Sequence, residues 1–177
     1  MNNLTAEAFS YSIRPASPSD EPFLREMLYQ SLYVPPGEEP FPREVVSRPH
    51  IARYVEGWGR EHDMGFVAED EATRRPVGAA WMRLFVGEEK GFAHIDDETP
   101  EMGIALLPEY RNRGIGTALL ERMIEAARPS YPALALSVSA QNPAKRLYER
   151  MGFEVVEVRG DDHPVMRLEL GGRGGAA

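Results

Sequence analysis

Residues 109 to 118 read Glu-Tyr-Arg-Asn-Arg-Gly-Ile-Gly-Thr-Ala, directly after the apolar run Met102 to Leu107 and directly before the amphipathic stretch Leu119 to Ala127. The order is strand, glycine-bearing turn, helix. A helix that starts there leaves its first backbone N–H groups without partners and places about half a positive charge beside them, which makes the turn a cradle for phosphate. Gly114 and Gly116 remove the Cβ atoms that would block a close anion, and Arg111 and Arg113 add flanking positive charge. The segment is neither a P-loop nor a dinucleotide fingerprint, because Thr117 follows Gly116 where the first needs Lys, and Leu119 stands where the second needs a third glycine. Taken alone, the two glycines also suit close helix packing.

A second segment changes the reading. Gln141-Asn142-Pro143-Ala144-Lys145-Arg146-Leu147-Tyr148-Glu149-Arg150-Met151-Gly152-Phe153 follows some thirty residues later, a helix carrying Leu-Tyr-Glu and ending in Gly-Phe. With Arg111-Asn112-Arg113-Gly114-Ile115-Gly116 matching Gln/Arg-x-x-Gly-x-Gly/Ala, the chain resembles the GNAT acyltransferases, the Gcn5-related N-acetyltransferase superfamily. The resemblance covers residues 77 to 156, and the N-terminal third supports it through element order.

That resemblance implies an α/β (α+β) fold, a mixed, mostly antiparallel central sheet of about six to seven strands flanked by helices. It also implies acetyl-CoA as co-substrate and no metal. The pantetheine arm would lie beside Ile104, Ala105 and Leu106, and the pyrophosphate on the backbone amides of Asn112, Arg113, Gly114, Ile115, Gly116 and Thr117, with Arg111 opening the motif. Tyr148 matches the tyrosine that serves as general acid toward the departing thiolate; a phenol with an ordinary pKa of about 10 holds its proton at neutral pH and can still deliver it. Asn142 matches either a pantetheine contact or an N-cap ahead of Pro143. It precedes Tyr148 by six positions where the commonest family form has seven, a place held here by Gln141. Glu101 stands where other members carry a glutamate that acts as base through water, and reads equally as a solvated strand end. Ser137 and Ser139 occupy the strand on which some members carry a catalytic glutamate.

The rest of the chain is consistent with one domain over residues 1–170 and a glycine-rich, flexible tail over 171–177. Tyr11 to Pro15 predicts a strand, and Ser19 or Asp20 caps a helix running to about Tyr33. Val34 to Pro42 is too proline-rich for regular structure and suits an acceptor-selecting loop; a second helix is expected from Arg43 to Trp58. Gly65–Glu69 and Val77–Val86 form a hairpin, Gly87–Thr99 an acidic loop, and Glu101–Leu107 the strand before the turn. Ala133–Ser139, Phe153–Arg159 and Val165–Leu170 are strands, and Pro143–Met151 is a helix.

Composition narrows the function. The 177 residues hold no cysteine, which removes disulfides, thiolate metal sites and cysteine nucleophiles and points to a reducing, cytoplasmic compartment. Met1 to Ser10 has neither the basic region nor the apolar run of a signal peptide, and no stretch is apolar enough to suggest a membrane partner. A net charge of −8 and a pI near 5.1 argue against nucleic acid. The implied partner is a small-molecule or peptide amine, and a homodimer stays open as the assembly. A lysine-like amine is neutral so rarely at pH 7 that its use costs about 4.6 kcal/mol, against about 1 to 1.4 kcal/mol for an α-amine. With no evident base, the expected activity is N-acetylation of a primary amine of a small molecule or peptide N-terminus by direct attack in a ternary complex. The alternatives are a non-catalytic acyl-CoA-binding or sensing module of the same fold and, less well matched, a nucleotide-phosphate enzyme.

Overall fold

The computed structural model describes residues 9–171. The expected tail, apart from Gly171, lies outside them. The chain begins with β1 (Tyr11–Pro15), a 3₁₀ turn (Pro18–Asp20) and α1 (Glu21–Ser31), whose Leu24, Met27 and Leu28 are buried at helical spacing. Residues 34–42 are irregular, as their prolines require. The hairpin strands follow as β2 (Met64–Asp70) and β3 (Pro76–Arg83), then β4 (Glu101–Leu106) and α3 (Ile115–Ala127). The order ends with β5 (Ala133–Ser137), α4 (Ala144–Arg150), β6 (Glu154–Arg159) and β7 (His163–Glu169).

The helix expected from Arg43 to Trp58 is a 3₁₀ turn (Arg43–Ser47) followed by the four-residue α2 (Pro49–Ala52) and further turns. Pro49 is the cause: it pushes Arg48 out of the helical region, to ψ 133°. Beyond it, the buried Arg83 guanidinium accepts no helix in its way; it donates to the backbone carbonyls of Arg53 (2.7 Å) and Glu56 (2.8 Å) and pairs with Asp63 at 2.8 Å. Groups a helix would use internally are thus committed to β3.

All seven strands form one sheet in the order β1-β2-β3-β4-β5-β7-β6. Every pairing is antiparallel except β4 with β5. Side chains alternate between two cores, as the period of two demands: Ala80 and Met82 of β3 face α3 and α4, while Ala79 and Trp81 face α1 and residues 45–58. Among the described residues, no helix is long and apolar enough to cross a membrane.

Candidate active site

β4 is fully paired on one side only. Its ladder with β3 runs from Arg83–Glu101 to Gly78–Leu106, whereas its contact with β5 is the single pair Glu101–Ala135. Ala135 N–H donates to the Pro100 carbonyl at 3.0 Å, and Leu107 N–H donates the other way, to Val77 at 2.9 Å. Strand alternation between those two bonds turns the backbone of Met102, Ile104 and Leu106 toward β5; Met102 N–H completes the pair by donating to the Ala135 carbonyl, and the N–H and C=O of Ile104 and Leu106 face the gap that opens past it. These are unladdered groups in the interior of the sheet, and a ligand with amides of its own can bond to them. Ala105, grouped with Ile104 and Leu106 in the sequence, instead directs its backbone to β3 and its side chain into the α1-side core.

The gap ends at the glycine turn. A 3₁₀ turn over Pro108–Tyr110 leads to Asn112 (φ 60°) and Gly114 (φ 82°), both left-handed, a conformation that glycine adopts freely and asparagine better than most residues. No side chain caps α3, and its first internal bond, Ala118 N–H to Gly114 at 3.2 Å, leaves the N–H groups of Ile115, Gly116 and Thr117 outside the helical pattern. Nothing lies within 4 Å of where a Cβ on Gly114 would stand. A Cβ on Gly116 would enter between Leu106 (3.7 Å) and Leu147 (3.9 Å), so that residue borders the space between β4 and α4. An uncapped helix start at the mouth of a strand gap fits an acyl-coenzyme A: anion on the turn, amide-bearing arm along the strand.

The two arginines of the turn are engaged beside it. Arg111 reaches the Leu106 carbonyl (3.4 Å) and Gln30 (3.3 Å), and Arg113 lies 4.8 Å over the Phe9 ring and 5.5 Å over Tyr110. The donors at the turn itself are backbone amides, with the Arg113 guanidinium, stacked but making no hydrogen bond within the described residues, beside them. Asn142 takes the capping alternative, its Oδ1 accepting from Ala144 N–H at 2.9 Å at the start of α4.

Tyr148 sits on α4 in the apolar cluster that also holds Ile115, Leu119, Val138 and Phe153, its ring 6.0 Å from that of Phe153 and edge-on to it. Burial pushes its phenol above the ordinary value, so it stays protonated at neutral pH.

Glu101 is not a solvated strand end. It is 1% exposed, and its carboxylate accepts from Tyr54 Oη (2.9 Å), Ala93 N–H (2.7 Å) and Gly91 N–H (2.9 Å). Tyr54 Oη in turn accepts from Phe92 N–H at 2.6 Å, and burial together with the neighbouring carboxylate raises the phenol's pKa. The result is a clasp: turn 91–93 wraps around a buried carboxylate and phenol, and any Cβ on Gly91 would collide with both. Arg159 holds the same loop through the Phe92 (2.7 Å) and His94 (2.6 Å) carbonyls. Three donated bonds and no solvent-facing surface leave Glu101 poorly placed for the base role expected of it. Tyr54, Gly91 and Arg159 escaped the sequence reading, since partners 47 residues apart share no spacing rule.

Similarity to known proteins follows the same lines. Over 70 residues the chain is 39% identical to the [ribosomal protein bS18]-alanine N-acetyltransferase of Escherichia coli K12, a stretch that is 38% of this chain and 47% of that protein. Over 60 residues it is 43% identical to an N-alpha-acetyltransferase of Sulfurisphaera tokodaii, covering 32% of this chain and 36% of the other. The chain thus matches about half, or less, of the length of these relatives. Among solved structures, yncA of Salmonella typhimurium with its cofactor acetyl-CoA superposes at a TM-score of 0.65, with 21% identity over 91% of this chain and 94% of that one. The E. coli ribosomal-protein-S18-alanine N-acetyltransferase superposes at 0.64, with 19% identity over 91% and 94%. These structural likenesses show a shared fold. The sequence pattern of the Acetyltransferase (GNAT) family matches residues 25–153, most of the sheet and both signature segments, and the chain belongs to that family.

Proposed function

We propose that the protein is an N-acetyltransferase that moves an acetyl group from acetyl-CoA to a primary amine, by direct attack in a ternary complex. The observation that carries this reading is the half-paired β4 running into an uncapped glycine turn. The neutral amine attacks the thioester carbonyl carbon, the C–S bond breaks, and the thiolate takes the Tyr148 proton; the proton of the new ammonium leaves to solvent and replaces it. Backbone N–H groups of the β4 edge are the donors on hand for the developing oxyanion.

An α-amine is the favoured acceptor. Its neutral fraction at pH 7 asks for no strong base, and the two expected positions supply none: β5 ends in Ser137, with Ser139 two residues beyond it, and the Glu101 oxygens are bonded. The sequence relatives named above, one for alanine and one for α-amines, support the same class. We assign Glu101 a positioning role, holding the 91–93 turn over the start of β4. The absence of a glutamate from β5 also suits a second reading, an acyl-CoA sensor without transfer, which Tyr148 opposes.

One experiment separates the two. Acetyl-CoA is incubated with peptides of differing N-terminal residue, spermidine and free amino acids, and free thiol is measured together with acetyl-CoA affinity. Transfer predicts acceptor-dependent thiol release, highest with a peptide α-amine; binding without release for every acceptor points to the sensor. Gly116→Trp, which fills the space between Leu106 and Leu147, abolishes acetyl-CoA binding while the circular dichroism melt stays cooperative. Full affinity in that folded variant removes the site from the β4–α3 turn.

A further inference from the structure

The two edges of the sheet are unlike. β1 is half-buried and stops at Pro15, which cannot donate to a further strand. β6 is bare: five of its six residues are exposed, among them Val155 (45%), Val156 (53%) and Val158 (56%). An exposed strand of that composition invites another strand, and its edge carries neither proline nor lysine to turn one away.

The identity of the visitor is written in the strand. A bulge between Val155 and Glu157 shifts the register, so that Val155 pairs with Met166 and Val158 with Pro164. Those β7 partners are two apart and share a face, so Val155 and Val158 share it too, which their spacing of three would otherwise forbid. By the same step, Glu154 opposite Arg167 and Arg159 opposite His163 share the other face. The strand reads as charge, valine, valine, charge of opposite sign, with each pair on its own face. It is therefore complementary to itself when reversed.

We propose that two copies of the chain join β6 to β6, antiparallel, with Glu154 of each opposite Arg159 of the other and Val155 opposite Val158. The register sets opposite charges against each other at both ends and valines against each other on one face, while the two Glu157 side chains, on the charged face, stand one step either side of the axis, each already paired with its own Arg159 at 2.9 Å. A shift of one residue pair in one direction puts Glu157 against Glu157 across the two-fold axis; a shift in the other sets Val155 against Glu157 and Glu154 against Val158. Arg159 is already held near the edge by Glu157 at 2.9 Å and by the loop carbonyls, so its guanidinium loses little freedom on meeting a second carboxylate. The joined sheet runs unbroken through both copies, with the two β4–β5 gaps at a distance from the seam.

Sedimentation velocity on the full chain tests this. The wild type sediments as a dimer at micromolar concentration. Glu154→Lys sets lysine against Arg159 and Arg159→Glu sets glutamate against Glu154, so each variant alone is monomeric or at least tenfold weaker in association. An equimolar mixture of the two regains the dimer, because each chain then supplies the charge the other needs. Since Arg159 also anchors the 92–94 loop, Val158→Asp, at an exposed position, serves as a second disruption that leaves the fold intact. A monomeric wild type, a dimer untouched by Val158→Asp, or a mixture that stays monomeric while both single variants remain folded overturns the proposal; a heterologous partner for β6 leaves the purified wild type monomeric and counts against it as well.

Discussion

Tyr148 is a phenol placed where water scarcely reaches, and that placement has two consequences. Its proton is held more tightly than in solution, and on the proposed chemistry a thiolate forming beside it would have few other sources of one. Tyr148→Phe removes one oxygen from a ring already packed against Phe153, so stability changes little. The expected outcome is a fall of about 10² to 10⁴ in kcat with acetyl-CoA affinity within a few-fold of wild type. A Phe variant that turns over at the wild-type rate would show that the ring only packs. Because the phenol is pushed upward, the alkaline limb of kcat should lie above pH 10 if Tyr148 sets it, and should vanish in the Phe variant.

At the scale of elements, the loop between β3 and β4 is held by contacts inside the fold, chiefly the clasp around Glu101. Glu101→Gln keeps shape but has only one accepting oxygen, so at least one of the three buried donors loses its partner, at about 1 to 3 kcal/mol. The prediction is a lower melting temperature and a raised acceptor KM, with kcat within tenfold and the acid limb of its pH profile unmoved. Loss of kcat by a hundredfold or more, together with that limb, would instead make Glu101 the base. This clasp also marks the limit of what the sequence discloses. The strands, the glycine turn and both signature helices are legible because their information is local: period-two alternation, left-handed glycine, a capping asparagine before proline. The segment 43–58 misleads because Val45, Val46, Ile51, Val55 and Trp58 are buried at spacings a helix would also give, while the determinant of its real shape is Pro49 and a guanidinium arriving from β3. Glu101 misleads for the same reason, since a carboxylate at a strand start looks solvated until its partners from residues 54, 91 and 93 are in place.

For the molecule as a whole, the entry into α1 fixes an acid-sensitive joint. Arg14 on β1 makes a two-pronged contact with Asp20, at 2.8 Å on each prong, and also binds Glu69 of β2, while Ser17 N–H donates to Asp20 at 2.7 Å. The Arg14 guanidinium, with help from Ser17, holds the Asp20 carboxyl below the usual carboxylate range against the opposing effect of burial. A carboxyl whose folded pKa lies below its unfolded value contributes stability that is complete above the unfolded value, about 3.9, and is lost as pH falls through the folded one. Asp20→Asn is therefore expected to cost about 1 to 2 kcal/mol at pH 7, and the gap to wild type should close as pH falls below about 4. Urea midpoints measured across that range check it; a constant gap would mean the effect is one of shape rather than charge.

The lone pair Glu101–Ala135 makes the sheet, in mechanical terms, two stiff plates sharing one stitch, β1 to β4 on one side and β5, β7 and β6 on the other. Load carried across the middle of the molecule passes through that stitch and through the side chains that α3 lays over both plates. A molecule lying along the open edge would act as a row of rivets, so a substrate bound there would stiffen the protein. Hydrogen exchange reads this directly: the amides of Ile104 and Leu106 should exchange far faster than those of Glu101, Gly103 and Ala105, which the β3 ladder holds, and acetyl-CoA should slow the first set to match the second.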